Sequence, residues 1–200
     1  MKLKVIRASY DEETITVYQA YNSGIATAAV KYQTFTAPFK TERMTWIKPS
    51  FLWMMYRSGW GTKENQERIL AVKMKITGFN DALKTACLTA FDASAHLSYD
   101  AWHHALKTSP VRVQWDPEKD ILLRPLNYKS VQIGLSGIAV HQYLNDWIVE
   151  IKDITDYCSN IHQLVKANKL TEATAMLPTE TLYHLPADIA IAIHSDQDND

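Results

Sequence analysis

Residues 43 to 60, Arg-Met-Thr-Trp-Ile-Lys-Pro-Ser-Phe-Leu-Trp-Met-Met-Tyr-Arg-Ser-Gly-Trp, set three tryptophans around an apolar run with Lys48 and Arg57 near its ends. From Ser50 to Arg57 there is no polar face, which predicts a short buried helix rather than one lying half in water. Pro49 suits its first turn and Gly59 its end. A helix that must be covered on every side needs other elements packed around it, so this segment marks the centre of the fold. A buried helix flanked by cations can also hold an anion at its start, where unpaired N–H groups and the positive end of the dipole point. A core helix whose cations merely snorkel to water accounts for the same residues.

With 46% of its 200 residues apolar, the chain can fill one well-packed core. A single domain over residues 1–190 is expected, followed by an acidic, disordered stretch at 191–200. No run is long enough to cross a bilayer, and the opening Met-Lys-Leu-Lys-Val-Ile-Arg is charged, so the expected setting is cytoplasmic with no membrane partner. Cys87 and Cys158 stand far apart and read as buried free thiols. Residues 1 to 75 carry twelve Lys/Arg against six Asp/Glu, and the remainder nine against sixteen. That asymmetry suggests an anionic partner for the first part, either nucleotide phosphate or nucleic acid (RNA or DNA), while the near-neutral total excludes a general polyanion binder.

Val, Ile, Thr and Tyr mark strands at 4–9 and 14–21, which a turn at Asp11-Glu12-Glu13 joins into a possible hairpin. Asn22 or Ser23 caps a helix running to Gln33. A strand at 68–76, a helix that Gly78 precedes and that runs to about Leu88, and a helix over 98–107 follow. Val111 to Trp115 and Ile121 to Leu123 read as a hairpin about a turn at 116–120. Further strands are expected at 129–135 and 147–154, a helix from Ser136, helices at 155–169 and 171–176, and a last strand at 181–185. Strands and hairpins interspersed with short helices give an α+β fold with mixed or antiparallel sheets.

The blocks Ile6 to Asp11, Val17 to Tyr21, Arg43 to Trp60, Ser109 to Glu118, Ser130 to Leu135 and Trp147-Ile148-Val149 together resemble an uncharacterised domain-of-unknown-function family (number 4291). The resemblance covers most of the chain and brings no reaction with it. The order of a strand ending Val-Tyr-Gln-Ala-Tyr, a capped helix from Ser23 to Gln33 and then Phe35 also looks like the opening of ADP-ribosyltransferase-like domains. That likeness implies a site for NAD over the helix, with a catalytic Glu on a late strand. Here Gln19 stands where a His is expected and Gln132 falls near the late-strand position. An amide cannot supply the negative charge that steadies an oxocarbenium ion, but it can hydrogen-bond a ribose hydroxyl.

Arg7, on an early strand, is suited to a bidentate contact with phosphate or carboxylate, unless Asp11 or Glu13 satisfies it. Lys48 and Ser50 flank Pro49, so an ammonium, a hydroxyl and free N–H groups can converge on one anion; Ser50 as a plain helix cap is the alternative. Trp46, Trp53, Trp60, Tyr18 and Tyr21 can stack a flat ring or simply fill the core. Glu150, flanked by apolar residues on its strand, is the candidate general base, or else a solvated edge residue. No metal is expected: His103 and His104 diverge by about 100° on a helix, and His96, His141, His162, His184 and His194 lack ligand spacing. These residues lead to an α+β protein that binds a nucleotide, a dinucleotide such as NAD, or an RNA end, through Arg7, Lys48 and Arg57. In its enzymatic form it would be a glycosyl or phosphoryl transferase acting by electrostatic positioning. A non-catalytic nucleic-acid-binding module or a protein-interaction domain is the alternative.

Overall fold

The computed structural model describes residues 3–93 and 98–196, so the expectation for His96 and for 197–200 lies outside the described residues. Arg7–Ala8 forms β1 and Thr14–Tyr21 forms β2. Asp11 shapes the turn between them, its Oδ1 accepting from the backbone N–H of Glu13 and Thr14 at 3.0 and 2.7 Å. The two strands meet only at a Tyr10–Ile15 bridge; β1 turns instead to a late strand, Thr181–Leu182. The expected hairpin is thus reduced to its turn. Asn22 caps α1 (Ser23–Tyr32) by accepting from Ile25 N, and Gln33 closes it in the left-handed region.

Thr45–Ile47 is a short β3, followed by α2 at Phe51–Ser58, with Ser50 as its cap and Gly59 at its end. Phe51, Trp53, Met54, Met55 and Ser58 of α2 are buried. Next come β4 (Arg68–Lys75), α3 (Ile76–Lys84) and β5 (Ala86–Leu88). The helix expected after Gly78 therefore begins earlier, at Ile76, and loses its last residues to a strand. Gly78 is required inside α3, because a Cβ there would sit 2.3 Å from Cγ of Trp147.

Ser98 caps α4 (Tyr99–Thr108), which leads into β6 (Val111–Lys119) and β7 (Pro125–Leu135). The turn of this hairpin is at 120–124, where Asp120 accepts from the backbone of Leu122 and Arg124, not at 116–120. Asp116 and Pro117 stay in the strand, with an irregularity in register between Pro117 and Lys119. The chain continues through α5 (Ile138–Gln142), a π-helical turn (Tyr143–Trp147), β8 (Ile148–Asp153), α6 (Thr155–Lys166), α7 (Leu170–Ala175), β9 (Thr181–Leu182) and α8 (Ala187–Ala192).

The described strands form three sheets: β1-β9, an antiparallel β2-β4-β8, and β3-β7-β6-β5, in which only the β5-β6 pair is parallel. This is a single-domain α+β fold with mixed and antiparallel sheets. Both faces of the β2-β4-β8 sheet contribute side chains to a core. Ile15, Val17, Leu70, Val72 and Met74 join the larger core with the inner face of the four-stranded sheet. Tyr18 and Ile69 face the second core, made by α2, α6 and α7. The β8 edge is covered by Gln33, whose amide accepts from Ile151 N at 2.8 Å and donates to Ile151 O at 3.0 Å, as a neighbouring strand would.

The stretch from 191 differs from the disordered tail expected there. Ile193 is fully buried, its carbonyl accepts from Trp115 Nε1, and Asp196 exchanges hydrogen bonds with the backbone of Lys4. Apolar Ile189, Ala190 and Ile193 recur at helical spacing just ahead of the acidic run and anchor it. Among the described residues no helix is long and apolar enough to cross a membrane.

Candidate functional site

The start of α2 is closed by the protein's own carboxylates. Glu180 Oε1 accepts from Phe51 N at 2.7 Å, and Ser50 Oγ donates to Glu118 Oε1 at 2.9 Å while accepting from Trp53 N at 3.1 Å. The open end of the helix is thus answered inside the fold, and the place expected for a bound anion at Ser50 is taken by the protein's own carboxyl groups. Burial raises Glu180 to about 8; the Phe51 N–H pulls against that, Glu118 adds to it, and Arg7 opposes it. Glu118 is raised as well, again by burial first. Exposed Arg7 donates to the Glu180 carbonyl at 3.0 Å and belongs to this closed end. The expectation of an anion shared by Arg7, Lys48 and Arg57 is therefore corrected: Arg7 points elsewhere.

Neither Glu118 nor Glu180 is conspicuous in the sequence. Glu118 lies in a stretch that reads as a polar turn, and Glu180 in the polar approach to β9.

The other side of α2 is open. A cleft of about 810 Å³ lies between β2, the segment from Pro38 to Lys48, the flank of α2, residues 64–66 and the outer face of β6 and β7. Of the residues singled out from sequence, Gln19, Tyr21, Trp46, Lys48, Arg57 and Gln132 line it. Lys40 and Arg43, which sequence reasoning passed over, add two more cations, and Glu64 is the single carboxylate among the described lining residues.

The remaining candidates lie apart from the cleft. Tyr18 packs edge-on to Phe51 in the second core, and Trp53 is buried on α2 beside Lys48. Trp60 stacks on His162. Glu150 is corrected from general base to edge residue: it sits on β8, the outer strand of its sheet, in an ion pair with Lys152 at 3.1 Å.

The family profile of the domain of unknown function DUF4291 matches residues 5–183. The chain belongs to this family. No curated protein matches it. Every residue lining the cleft of this DUF4291 protein falls inside the matched span.

Within the cleft, β2 presents Gln19 and Tyr21 from its inner face beside Thr45 of β3. Gln19 Nε2 donates to Tyr21 Oη and to Thr45 Oγ1, both at 2.8 Å, and those two hydroxyls are themselves 2.8 Å apart. Tyr143 Oη, from below, donates to Gln19 Oε1 at 2.8 Å. Two amide hydrogens and two hydroxyl hydrogens serve three internal contacts, so one hydroxyl hydrogen remains for an acceptor in the cleft. Burial pushes the Tyr21 phenol up to about 12, against the pull of its Thr45 bond, so it acts as a neutral donor.

On the sheet wall, Gln114 and Gln132 stand directly opposite one another. Both donate Nε2 to Asp116, at 3.0 Å to Oδ1 and 2.7 Å to Oδ2. Both amides meet Asp116 through Nε2, which leaves their carbonyl oxygens free of this contact. Trp46 lies over Gly134, where a Cβ would meet its ring at 3.0 Å; the missing side chain lets the indole lie close to the sheet.

Lys48 is the most constrained of the cations. It is 5% exposed, and its Nζ has the Trp46 carbonyl at 3.4 Å and the Trp53 ring centroid at 5.5 Å as neighbours. Burial, with Arg57 second, brings its ammonium down to about 7, while Asp116 holds it up. Among the described residues no group of three or more His, Cys, Asp or Glu is arranged to hold a metal ion.

Proposed function

We propose that this cleft binds a nucleotide or dinucleotide, NAD among them, with its phosphates on Arg43, Arg57, Lys40 and Lys48 and its ring against Trp46. The observation that carries the reading is the convergence of four cations and an indole, with one carboxylate, on a single concavity. Guanidinium groups keep their charge and match phosphate oxygens in pairs. The spare hydroxyl hydrogen of the Tyr21–Thr45 pair and the carbonyl oxygens of Gln114 and Gln132 supply directional contacts for a sugar or base edge.

In an enzymatic form of this reading, glycosyl or phosphoryl transfer proceeds by positioning and by charge stabilisation from the cations. Gln132 then orients a hydroxyl and carries no charge. The ADP-ribosyltransferase-like version lacks its carboxylate at that position. An RNA 5′ end shares the phosphate chemistry and is distinguished by length: oligonucleotide affinity would exceed that of the mononucleotide and fall steeply with salt.

The test is a titration of intrinsic tryptophan fluorescence with ATP and NAD, paired with thermal shift. Saturable quenching is expected, and a ligand at 100 times its dissociation constant raises stability by about 2.7 kcal/mol. Arg57→Ala and Arg43→Ala are expected to weaken binding by about tenfold each, the loss of one charge-assisted contact. Unchanged fluorescence and melting at millimolar nucleotide would refute the reading.

A further inference from the structure

Most buried lysines are paired with a carboxylate, because a lone ammonium out of water is unfavourable. Among the described residues Lys48 forms no ion pair. What surrounds its Nζ is a carbonyl at a long 3.4 Å, an indole face, and the cleft. The charged groups facing it from the packed elements are Arg57 on α2, Asp116 on β6 (already engaged by two glutamines) and, around the same cavity, Lys40, Arg43 and Glu64. This is an environment that favours a free amine, and it opens onto a space large enough for a small ligand.

From this placement we propose that Lys48 is a nucleophile that forms an imine with a phosphorylated aldehyde or reducing sugar held in the cleft. The inference rests on reading the cleft cations as an anion-holding wall and adds the functional group that reaches the lysine. Arg43, Arg57 and Lys40 hold the phosphate; guanidinium groups keep their protons and do not compete for the carbonyl. The Lys48 nitrogen lone pair forms the new C–N bond as the carbonyl π pair moves to oxygen. The resulting carbinolamine loses that oxygen as water, both amine hydrogens leaving with it, and a C=N bond remains. No oxidant, reductant or further reactant is needed. Burial that brings the ammonium down to about 7 gives the free amine a large share at neutral pH.

The probe is pyridoxal 5′-phosphate, added to the full-length protein at several pH values, trapped with sodium borohydride and located by peptide mass spectrometry. Reduced adduct is expected at Lys48 about tenfold or more faster at pH 7 than at exposed Lys107 and Lys166, which lie outside the cleft. The rate should rise with a midpoint near 7. Unphosphorylated pyridoxal, whose 5′-hydroxyl masks the aldehyde as a hemiacetal, is compared through the ratio of Lys48 to Lys107 labelling, which should be about tenfold lower than with the phosphate. Lys48→Arg, verified as folded by its melting curve, should lose the fast adduct. Labelling at Lys48 no faster than at the exposed lysines, or the same ratio with pyridoxal and its phosphate, would overturn the proposal. A protein whose Lys48 is trapped while its fluorescence ignores ATP and NAD loses the nucleotide reading and keeps this one.

Discussion

Glu180 bonds the first N–H of α2 and Lys48 lines the cleft beside that helix, and the two are perturbed in opposite senses. Each shift is mainly desolvation, and each has a stability consequence with its own sign. The native Glu180 carboxyl gives up its proton only near 8, whereas in the unfolded chain it does so near about 4.3. Between those values the native state holds the extra proton, so this group's contribution to stability falls as pH rises through the window. Lys48 works the other way: the unfolded chain holds the extra proton between about 7 and 10.4, so its contribution improves with rising pH there. From pH 5 to 6, below the Lys48 midpoint, Glu180 is the one of the two that sets the slope. Glu180→Gln keeps an acceptor for Phe51 N and is expected to flatten that decline, measured as the melting temperature across pH 5 to 6; an unchanged slope would contradict the assignment. Ser50 serves two partners at once, Trp53 N and Glu118. Ser50→Ala removes the cap and one of the donors to Glu118, leaving it the Lys119 N–H, so a loss of about 1–2 kcal/mol in chemical denaturation is expected.

Elements with strong local signals were legible in the chain. The β-branched run at 14–21 forms β2 with those bounds, and Asn22, Ser50 and Gly59 end their helices as their residue types require. Elements that depend on a distant partner were not. β3 and β5 are three residues each, and it is pairing with β7 and β6 that makes them strands. Asp116-Pro117 carries turn chemistry yet lies within β6, where Asp116 is claimed by Gln114 and Gln132. The cations of the site were legible by type, but which of them face one another depends on the pairing of strands far apart in sequence. That is why Lys48 and Arg57 were found together while Arg7 was misplaced and Arg43 missed. Helix α3 offers a test at this scale. Gly78→Ala would put a methyl group into the Trp147 indole, whose ring is held in the core, so a loss of about 1–3 kcal/mol is expected in denaturant unfolding. A neutral substitution would mean that the α3–Trp147 contact is looser than described.

At the scale of the whole molecule, the β2-β4-β8 sheet lies between two cores and α2 sits at the junction, one end closed by Glu118 and Glu180 and one flank open to the cleft. The C-terminal segment completes the larger core, because Ile189, Ala190 and Ile193 are buried in it and Asp196 joins the backbone at Lys4. Deleting residues 187–200 should remove on the order of 5 kcal/mol, a large part of the stability of an ordinary domain, and lower the melting temperature accordingly; a truncated chain that melts like the full one would contradict this packing. The central claim concerns the open flank of α2, where an anion must contend with a lysine that is only partly charged at neutral pH. The most direct measurement is isothermal titration with ATP at pH 7.5 in buffers of different ionisation enthalpy. The account predicts saturable binding with net proton uptake, as the phosphate drives Lys48 back to its ammonium form, and loss of that uptake in Lys48→Met. Binding with no proton linkage, or no binding at millimolar nucleotide, would contradict it.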